Sequence, residues 1–427
     1  MSFQRQLIPL LIVIALGGVC SAHPAVLARP GNAEETSLDD LRAQGYEALY
    51  SLDYETANRK FKEMVRLFPD HPAGPQSMAA TLWLQELNRS RYRQASLYST
   101  ESFYGDEEKI DPRLKEQFRY WTGTATRLAQ ARLRSNSRDV EALYFLGVTE
   151  GLKAVFAAGV ERRFRAALSD SSRSVDRHRE VLKLDPTLHD AELSIGMHDF
   201  IVGSLPLPVK MLASLSGVRG SKKRGIETLE RVAREGRWAR VSARLLLIDI
   251  YKREKRWTEA LAAARELAGK YPRNYLFQLQ AADALLGRAA TLRRTKGADT
   301  RAARDDQDEA FRILESLLQS RTPASGTTRP VAMDLIHFRY GEALLMAGLT
   351  ERATQEFQNA TRQTDHDPAL VAVARLRAAQ SMDVSGRRRE ALAEYRAILE
   401  LPKVERLYEA AKRGLSKPYR MTDLTRD

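Results

Sequence analysis

Seven histidines and a single cysteine are the residues of this 427-residue chain best suited to acid–base, nucleophilic or metal chemistry near neutral pH. Their spacing does not favour any of these. His189 and His198 stand nine residues apart, which places them on opposite sides of one helix and keeps them from sharing a metal. His366 sits between Asp365 and Asp367 in a turn-like stretch. No HExxH or comparable ligand spacing occurs, so the histidines are expected to be structural or merely exposed, and no metal is expected. Neither GxSxG nor SxxK is present to set a serine beside a base. Gly217, Gly220 and Gly225, with Lys222, Lys223 and Arg224, could cradle an anion at the start of a helix near Gly225. The spacing of a phosphate-binding loop, GxxxxGK[ST], is absent, and a basic solvated elbow is the simpler expectation. The sequence therefore predicts no cofactor and no catalysis.

The cysteine, Cys20, lies at the end of a segment that reads as an export signal. Arg5 supplies the charge, residues 7–19 the apolar run, and Cys20-Ser21-Ala22 the small residues at which cleavage is expected. The run is short for a membrane span and holds Gly17-Gly18, which argues against an uncleaved anchor. Cleavage after Ala22 leaves a mature chain without a thiol, hence without disulfides or a cysteine nucleophile. Lipidation of Cys20 is the alternative, although Gly17-Gly18-Val19 lacks the expected small residue immediately upstream. In a bacterium the expected location is the periplasm or the outer membrane.

Net charge is +13, from 68 Lys+Arg against 55 Asp+Glu, which favours acidic partners. Export makes nucleic acid the least expected of them, leaving acidic protein surfaces and anionic membrane. An Ala-, Leu-, Arg- and Glu-rich chain with only 7% aromatic residues suits an all-α fold.

Any site must be carried by paired amphipathic helices that recur along the chain. With Val241 as position 1, Leu247 falls at 7, Tyr251 at 11, Ala260 at 20 and Pro272 at 32. With Leu38 as position 1, Gly45 falls at 8, Ala57 at 20, Phe61 at 24 and Pro69 at 32. With Asp334 as position 1, Gly341 falls at 8, Ala353 at 20, Phe357 at 24 and Ala360 at 27; a further unit from Ala372 has Ala391 at 20 and Tyr395 at 24. This spacing resembles the 34-residue tetratricopeptide repeat (TPR). Small residues let two helices cross closely, large ones fill the inner face, and the proline stops the second helix. The resemblance implies an all-α, TPR-type helical-hairpin solenoid with irregular, insertion-containing central repeats. It divides the chain into a signal peptide (1–22), a flexible leader (23–37), N-terminal repeats (38–188) and central repeats (189–320). A linker (321–333), C-terminal repeats with a capping helix (334–415) and a tail (416–427) follow.

The central block departs from the plain repeat. Residues 195–218 carry just two charges, Asp199 and Lys210, and Pro206 and Pro208 must break any continuous helix. Ser204-Leu205-Pro206, Lys210, Gly217, Gly220, Gly225-Ile226 and Leu229 are similar to the inclusion-body clearance family of TPR proteins, in which this segment bends between two helices of an enlarged repeat. Arg219 and Ser221 depart from the aromatic and acidic residues expected there. Residues 293–308, dense in Arg and Asp, read as a solvated extension between two helices.

Positions 2, 5, 9, 12 and 13 of each first helix line the inner surface of such solenoids. The candidate partner-binding residues are therefore Arg42, Tyr46, Leu49 and Tyr50, then Leu245, Asp249, Lys252 and Arg253, then Phe338, Glu342, Leu345 and Met346. Chaperone-binding TPR domains clamp a peptide carboxylate with Lys and Asn at positions 5 and 9. The pairs Arg42/Tyr46, Leu245/Asp249 and Phe338/Glu342 do not, so a helix or extended segment is the expected ligand. The sequence points to an exported scaffold that binds other proteins, with a membrane-surface role through residues 195–225 as the alternative.

Overall fold

The computed structural model describes residues 37–89, 111–215, 219–296, 299–320, 331–365, 367–401 and 405–423. The expected signal and leader and most of the 321–333 linker lie outside these residues. Among the described residues the chain consists of helices joined by short turns, with no strand. It divides into two compact units, the first ending at Asn274 and the second beginning, apart from residues 87–89, at Tyr275.

The first unit contains α1 (Leu38–Tyr50), α2 (Tyr54–Leu67), α3 (Ala73–Arg89), α4 (Pro112–Ser135), α5 (Val140–Gly159) and α6 (Phe164–Leu184). After a 3₁₀ turn (His189–Ala191) it continues with α7 (Glu192–Gly203), α8 (Leu207–Leu215), α9 (Lys222–Glu235), α10 (Arg240–Arg253) and α11 (Trp257–Lys270). The second contains α12 (Tyr275–Lys296), α13 (Arg301–Gln319), α14 (Met333–Met346), α15 (Thr350–Thr361), α16 (Pro368–Val384), α17 (Arg388–Leu399) and α18 (Glu405–Ser416). Several helices start where a short polar side chain accepts an otherwise unpaired backbone N–H: Ser37 from Asp40, Asp53 from Thr56, Asp139 from Ala142, Thr300 from Ala303.

The hairpins share one way of crossing. A Cβ added at Gly45 would lie 2.3 Å from the Phe61 ring, and one at Gly341 2.7 Å from the Phe357 ring. At Gly147 the same place is taken by His178, at 2.6 Å. The small residues Ala57, Ala260, Ala353 and Ala391 have no exposed surface, as a close crossing requires. The elbows also agree. Leu52 (φ 63°), Arg162 (57°), Lys255 (58°), Gly348 (76°) and Gly386 (80°) each supply one left-handed residue between a first helix and its partner. This is the TPR-type hairpin solenoid that the spacing predicts.

Helix α5 forms the interior of the first unit. It is the one described helix long and apolar enough to cross a membrane, and 89% of that apolar stretch is buried by its neighbours. The Phe118 ring of α4 stacks on Phe156 at 3.8 Å, and Trp83 of α3 meets the same ring edge-on. The first unit also packs its beginning against its end. Arg42 lies 4.5 Å over Trp238 and 4.8 Å over Phe145; the Tyr50 hydroxyl is 3.2 Å from Ser242 Oγ. Asn274 Nδ2 donates to the Tyr50 carbonyl at 2.7 Å, and Arg237 pairs with Asp39. Pairs separated by about two hundred residues in sequence thus meet in one interior.

Prolines 206 and 208 end α7 and begin α8 as expected. The glycines that follow serve packing rather than an anion. Cβ atoms at Gly203, Gly220 and Gly225 would fall 2.3, 2.5 and 2.6 Å from Lys222 N, Val202 Cβ and Gly196 O, so α7 and α9 cross almost backbone to backbone. The basic residues face solvent as expected, but they stand on a helix rather than in an elbow. Helix α9 already begins at Lys222, where Ser221 Oγ caps it by accepting the Arg224 amide. Lys222 Nζ donates to Glu254 at 2.6 Å, and Arg224 grips Asp199 with both branches of its guanidinium.

The stretch read as a solvated extension in the second unit is mostly helix. Helix α12 runs to Lys296 and α13 starts at Arg301, with Ala303 fully buried and Arg288 bidentate to the buried Asp306 at 2.7 Å. Its charged residues mostly face solvent, as expected, while Arg288 with Asp306 and Arg293 with Asp299 clasp a long hairpin. The tail is tied down as well. Asp383, with a fully buried side chain, accepts from Arg388, from the Tyr395 hydroxyl at 3.0 Å and from the Tyr419 amide at 2.9 Å.

Candidate partner-binding face

The twelve positions read from the sequence fall into three sets with different fates. Arg42, Tyr46, Leu49 and Tyr50 of α1 are 1%, 0%, 1% and 3% exposed, so they form core rather than an open groove. Tyr46 meets Phe61 edge-on at 5.0 Å, and Ser77 donates to its hydroxyl. Arg42, between Phe145 and Trp238, also donates to the Tyr144 phenol. A guanidinium tolerates this burial in part because its charge sits on aromatic faces. Burial pushes the Tyr50 and Tyr144 phenols far above their ordinary values, so neither ionises.

On α10, Leu245 and Asp249 are half-buried, Lys252 is buried and Arg253 is exposed. Beside this helix Tyr251 donates to Glu230 at 2.7 Å, and Arg256 stacks 4.4 Å over the Tyr251 ring.

In the second unit, Phe338 and Leu345 are buried at 2% and 1%, Phe338 against the Phe357 ring. Met346 is 52% exposed. Glu342 is the informative member. Its carboxylate accepts from Arg339 Nη1 at 3.2 Å and lies 3.5 Å from Arg377 Nη2, while the other branch of Arg339 grips Asp283. Arg377 continues to Gln380 at 3.0 Å. The result is a row of alternating charge, Asp283–Arg339–Glu342–Arg377, across α12, α14 and α16, the first helices of three hairpins. Side-chain exposure is 16% at Asp283 and 9% at Arg339, against 25% at Glu342 and 23% at Arg377. Each charge holds its neighbour in place, so the two most exposed members, Glu342 and Arg377, are already oriented for a charged ligand. Arg339 and Arg377 escaped the sequence reading because both stand at position 6 of their repeats, outside the positions taken to line the inner surface, and Asp283 because no register was assigned to its helix. A signal did exist, since Arg339 and Arg377 recur at the same position, 6, of successive repeats.

The described histidines are engaged in packing and ion pairs. His71 lies 3.1 Å from Glu141, whose pKa falls to about 2 through that contact, with Arg132 adding to it. His337 meets Glu356 at 2.6 Å, and His189 faces Glu192 and Glu235. His178 is enclosed, with Nδ1 2.6 Å from Ser194 Oγ and Nε2 3.2 Å from the Tyr144 carbonyl. Because a carbonyl only accepts, Nε2 carries the proton and Nδ1 accepts from the serine. Burial lowers this imidazole's pKa to about 4. Among the described residues no three His, Cys, Asp or Glu side chains converge as a metal site. His23 and His366 lie outside the described residues.

No family model matches the sequence, and no curated protein does. Solved structures of similar shape are found. The human IFIT1 dimer with m7Gppp-AAAA is 11% identical with a TM-score of 0.46, over 90% of this chain and 81% of that one. A tetratricopeptide repeat protein from Parabacteroides merdae is 13% identical with a TM-score of 0.30, over 79% and 98%. Yeast Tom70 is 11% identical with a TM-score of 0.35, over 92% and 90%. By its own recurring glycine–aromatic crossings and left-handed elbows, the chain has a TPR-type hairpin fold.

Proposed function

We propose that this protein is an exported, non-catalytic scaffold that binds other proteins in the cell envelope. The observation that carries the reading is the charged row on the first helices of the second unit, with Glu342 and Arg377 25% and 23% exposed and Met346 open at the end of α14. Pre-oriented charge beside an exposed thioether suits a peptide or helix with one charged and one apolar side. Export rests on residues 1–22 and is tested by the mass of the mature N-terminus, which also decides whether Cys20 is removed or lipidated. For binding, a photo-crosslinking residue placed at Met346 in the full chain should capture a discrete envelope protein, and Glu342→Lys should abolish the product. Crosslinks that survive Glu342→Lys, or turnover of a substrate by the purified chain, would reject the reading.

A membrane-surface role has one specific observation in its favour. Leu207 and Met211, one helical turn apart on α8, are 76% and 69% exposed, and Lys210 lies between them. Such a helix can insert its apolar side chains at the headgroup boundary while a basic residue meets anionic lipid. Flotation on phosphatidylglycerol vesicles that is lost in Leu207→Glu/Met211→Glu would support it; no flotation of the parent chain would dismiss it. Nucleic acid is not proposed as a ligand.

A further inference from the structure

Helix α4 carries six cationic side chains and one carboxylate in 24 residues, the latter Glu116. Phe118, Thr122, Ala125 and Ala129 form its buried row. Two of the cations are spent inside the fold, Arg119 on Glu161 at 2.6 Å and Arg132 on Asp139 and Glu141. Arg113, Arg127 and Arg134 are exposed and make no ion pair among the described residues. With Tyr120, 62% exposed, they occupy positions 113, 120, 127 and 134, a strict interval of seven on the side away from the buried row. Glu116 lies at the Arg113 end, so positive charge gathers toward Arg127 and Arg134.

A second observation falls on the same face. Gly123, one turn from both Tyr120 and Arg127, is exposed, and a Cβ built there would meet nothing within 4 Å. Glycine in a helix interior costs about 1 kcal/mol relative to alanine. The glycines at 45, 147 and 341 admit a ring from the partner helix, whereas the space at Gly123 opens to solvent.

We infer that the outer face of α4 is a docking surface for an acidic amphipathic helix. Seven residues advance a helix by about 10.5 Å and return to nearly the same side. A second helix with carboxylates at the same interval therefore meets Arg127 and Arg134 together, and Arg113 two intervals away, without distortion. Tyr120 supplies a flat anchor, the arginines supply forks that match carboxylates, and the Gly123 notch receives one partner side chain. This rests on the reading of the protein as a scaffold and names one kind of partner for it.

The test uses the full chain and a fluorescein-labelled 28-residue peptide of four identical heptads, with glutamates repeating every seven residues beside an Ala/Leu seam. A shuffled peptide of the same composition is the control. Titration by anisotropy should show at least tenfold tighter binding of the heptad peptide than of the shuffled one. Arg127→Gln/Arg134→Gln should weaken it about tenfold with unchanged melting temperature. Gly123→Leu should weaken binding while raising the melting temperature, an outcome that a purely structural glycine would not give. Equal affinity for the shuffled peptide, or indifference to these substitutions, overturns the proposal. So does tighter binding of a 16-base-pair RNA duplex through the same arginines. The crosslink from Met346 is read in the other unit, so a lost crosslink with intact peptide binding, or the reverse, shows which idea has failed.

Discussion

Protonation of His178 should weaken the first unit as the pH falls. The imidazole packs against Gly147 where Phe61 and Phe357 pack against Gly45 and Gly341, and Tyr144, Ser174, Ser194 and Asp190 line the small cavity beside it. Its pKa is about 4 when folded against 6.5 when unfolded. Above pH 6.5 both states are neutral, and stability is at its full value. Below it the unfolded chain binds a proton that the folded chain refuses, so stability falls by up to about 1.4 kcal/mol per pH unit until the folded pKa is reached. At pH 5 the loss from this residue is about 2 kcal/mol. The four tryptophans, Trp83, Trp121, Trp238 and Trp257, all lie in the first unit, so urea melts followed by their fluorescence report that unit alone. Wild type should lose about 2 kcal/mol more between pH 7.5 and pH 5 than His178→Phe/Ser194→Ala, which keeps a ring against Gly147 and leaves no orphaned serine. His198, also held down by burial, titrates in both proteins and cancels in the difference. Equal pH dependence in the two proteins would refute the reasoning.

Gly341→Ala should destabilise the second unit by about 1–3 kcal/mol, because its Cβ would overlap the Phe357 ring, and Phe357→Leu should recover part of that in the double variant; urea melts by circular dichroism decide. Lys255→Gly removes a left-handed non-glycine from an exposed elbow and should stabilise by about 0.5 kcal/mol, the relief of strain exceeding the greater freedom of the unfolded chain; an unchanged or lower urea midpoint would contradict it. Asp383→Ala leaves Arg388, Tyr395 and the Tyr419 amide without their shared acceptor and should cost about 3 kcal/mol, with faster hydrogen exchange at Tyr419 as the local sign.

The sequence by itself determined the hairpin. Gly45 with Phe61, Gly341 with Phe357, and the alanines at position 20 fix how two neighbouring helices cross, because that contact is made within one repeat and recurs at a constant interval. Pro206 and Pro208 likewise announced the break between α7 and α8, since a missing N–H acts locally. Winding is a different matter. It is the sum of small rotations from one hairpin to the next, and no single residue reports it. Only the tertiary structure therefore decided that Arg42, Tyr46, Leu49 and Tyr50 are interior, closed over by Trp238, Ser242 and Asn274. Charge was ambiguous for the same reason. Lys222 and Arg224 do face solvent, but their pairing was not legible because their partners, Glu254 and Asp199, sit in other helices. The Asp283–Arg339–Glu342–Arg377 row exists only once three first helices lie side by side, since each of its links but Arg339–Glu342 joins two different helices.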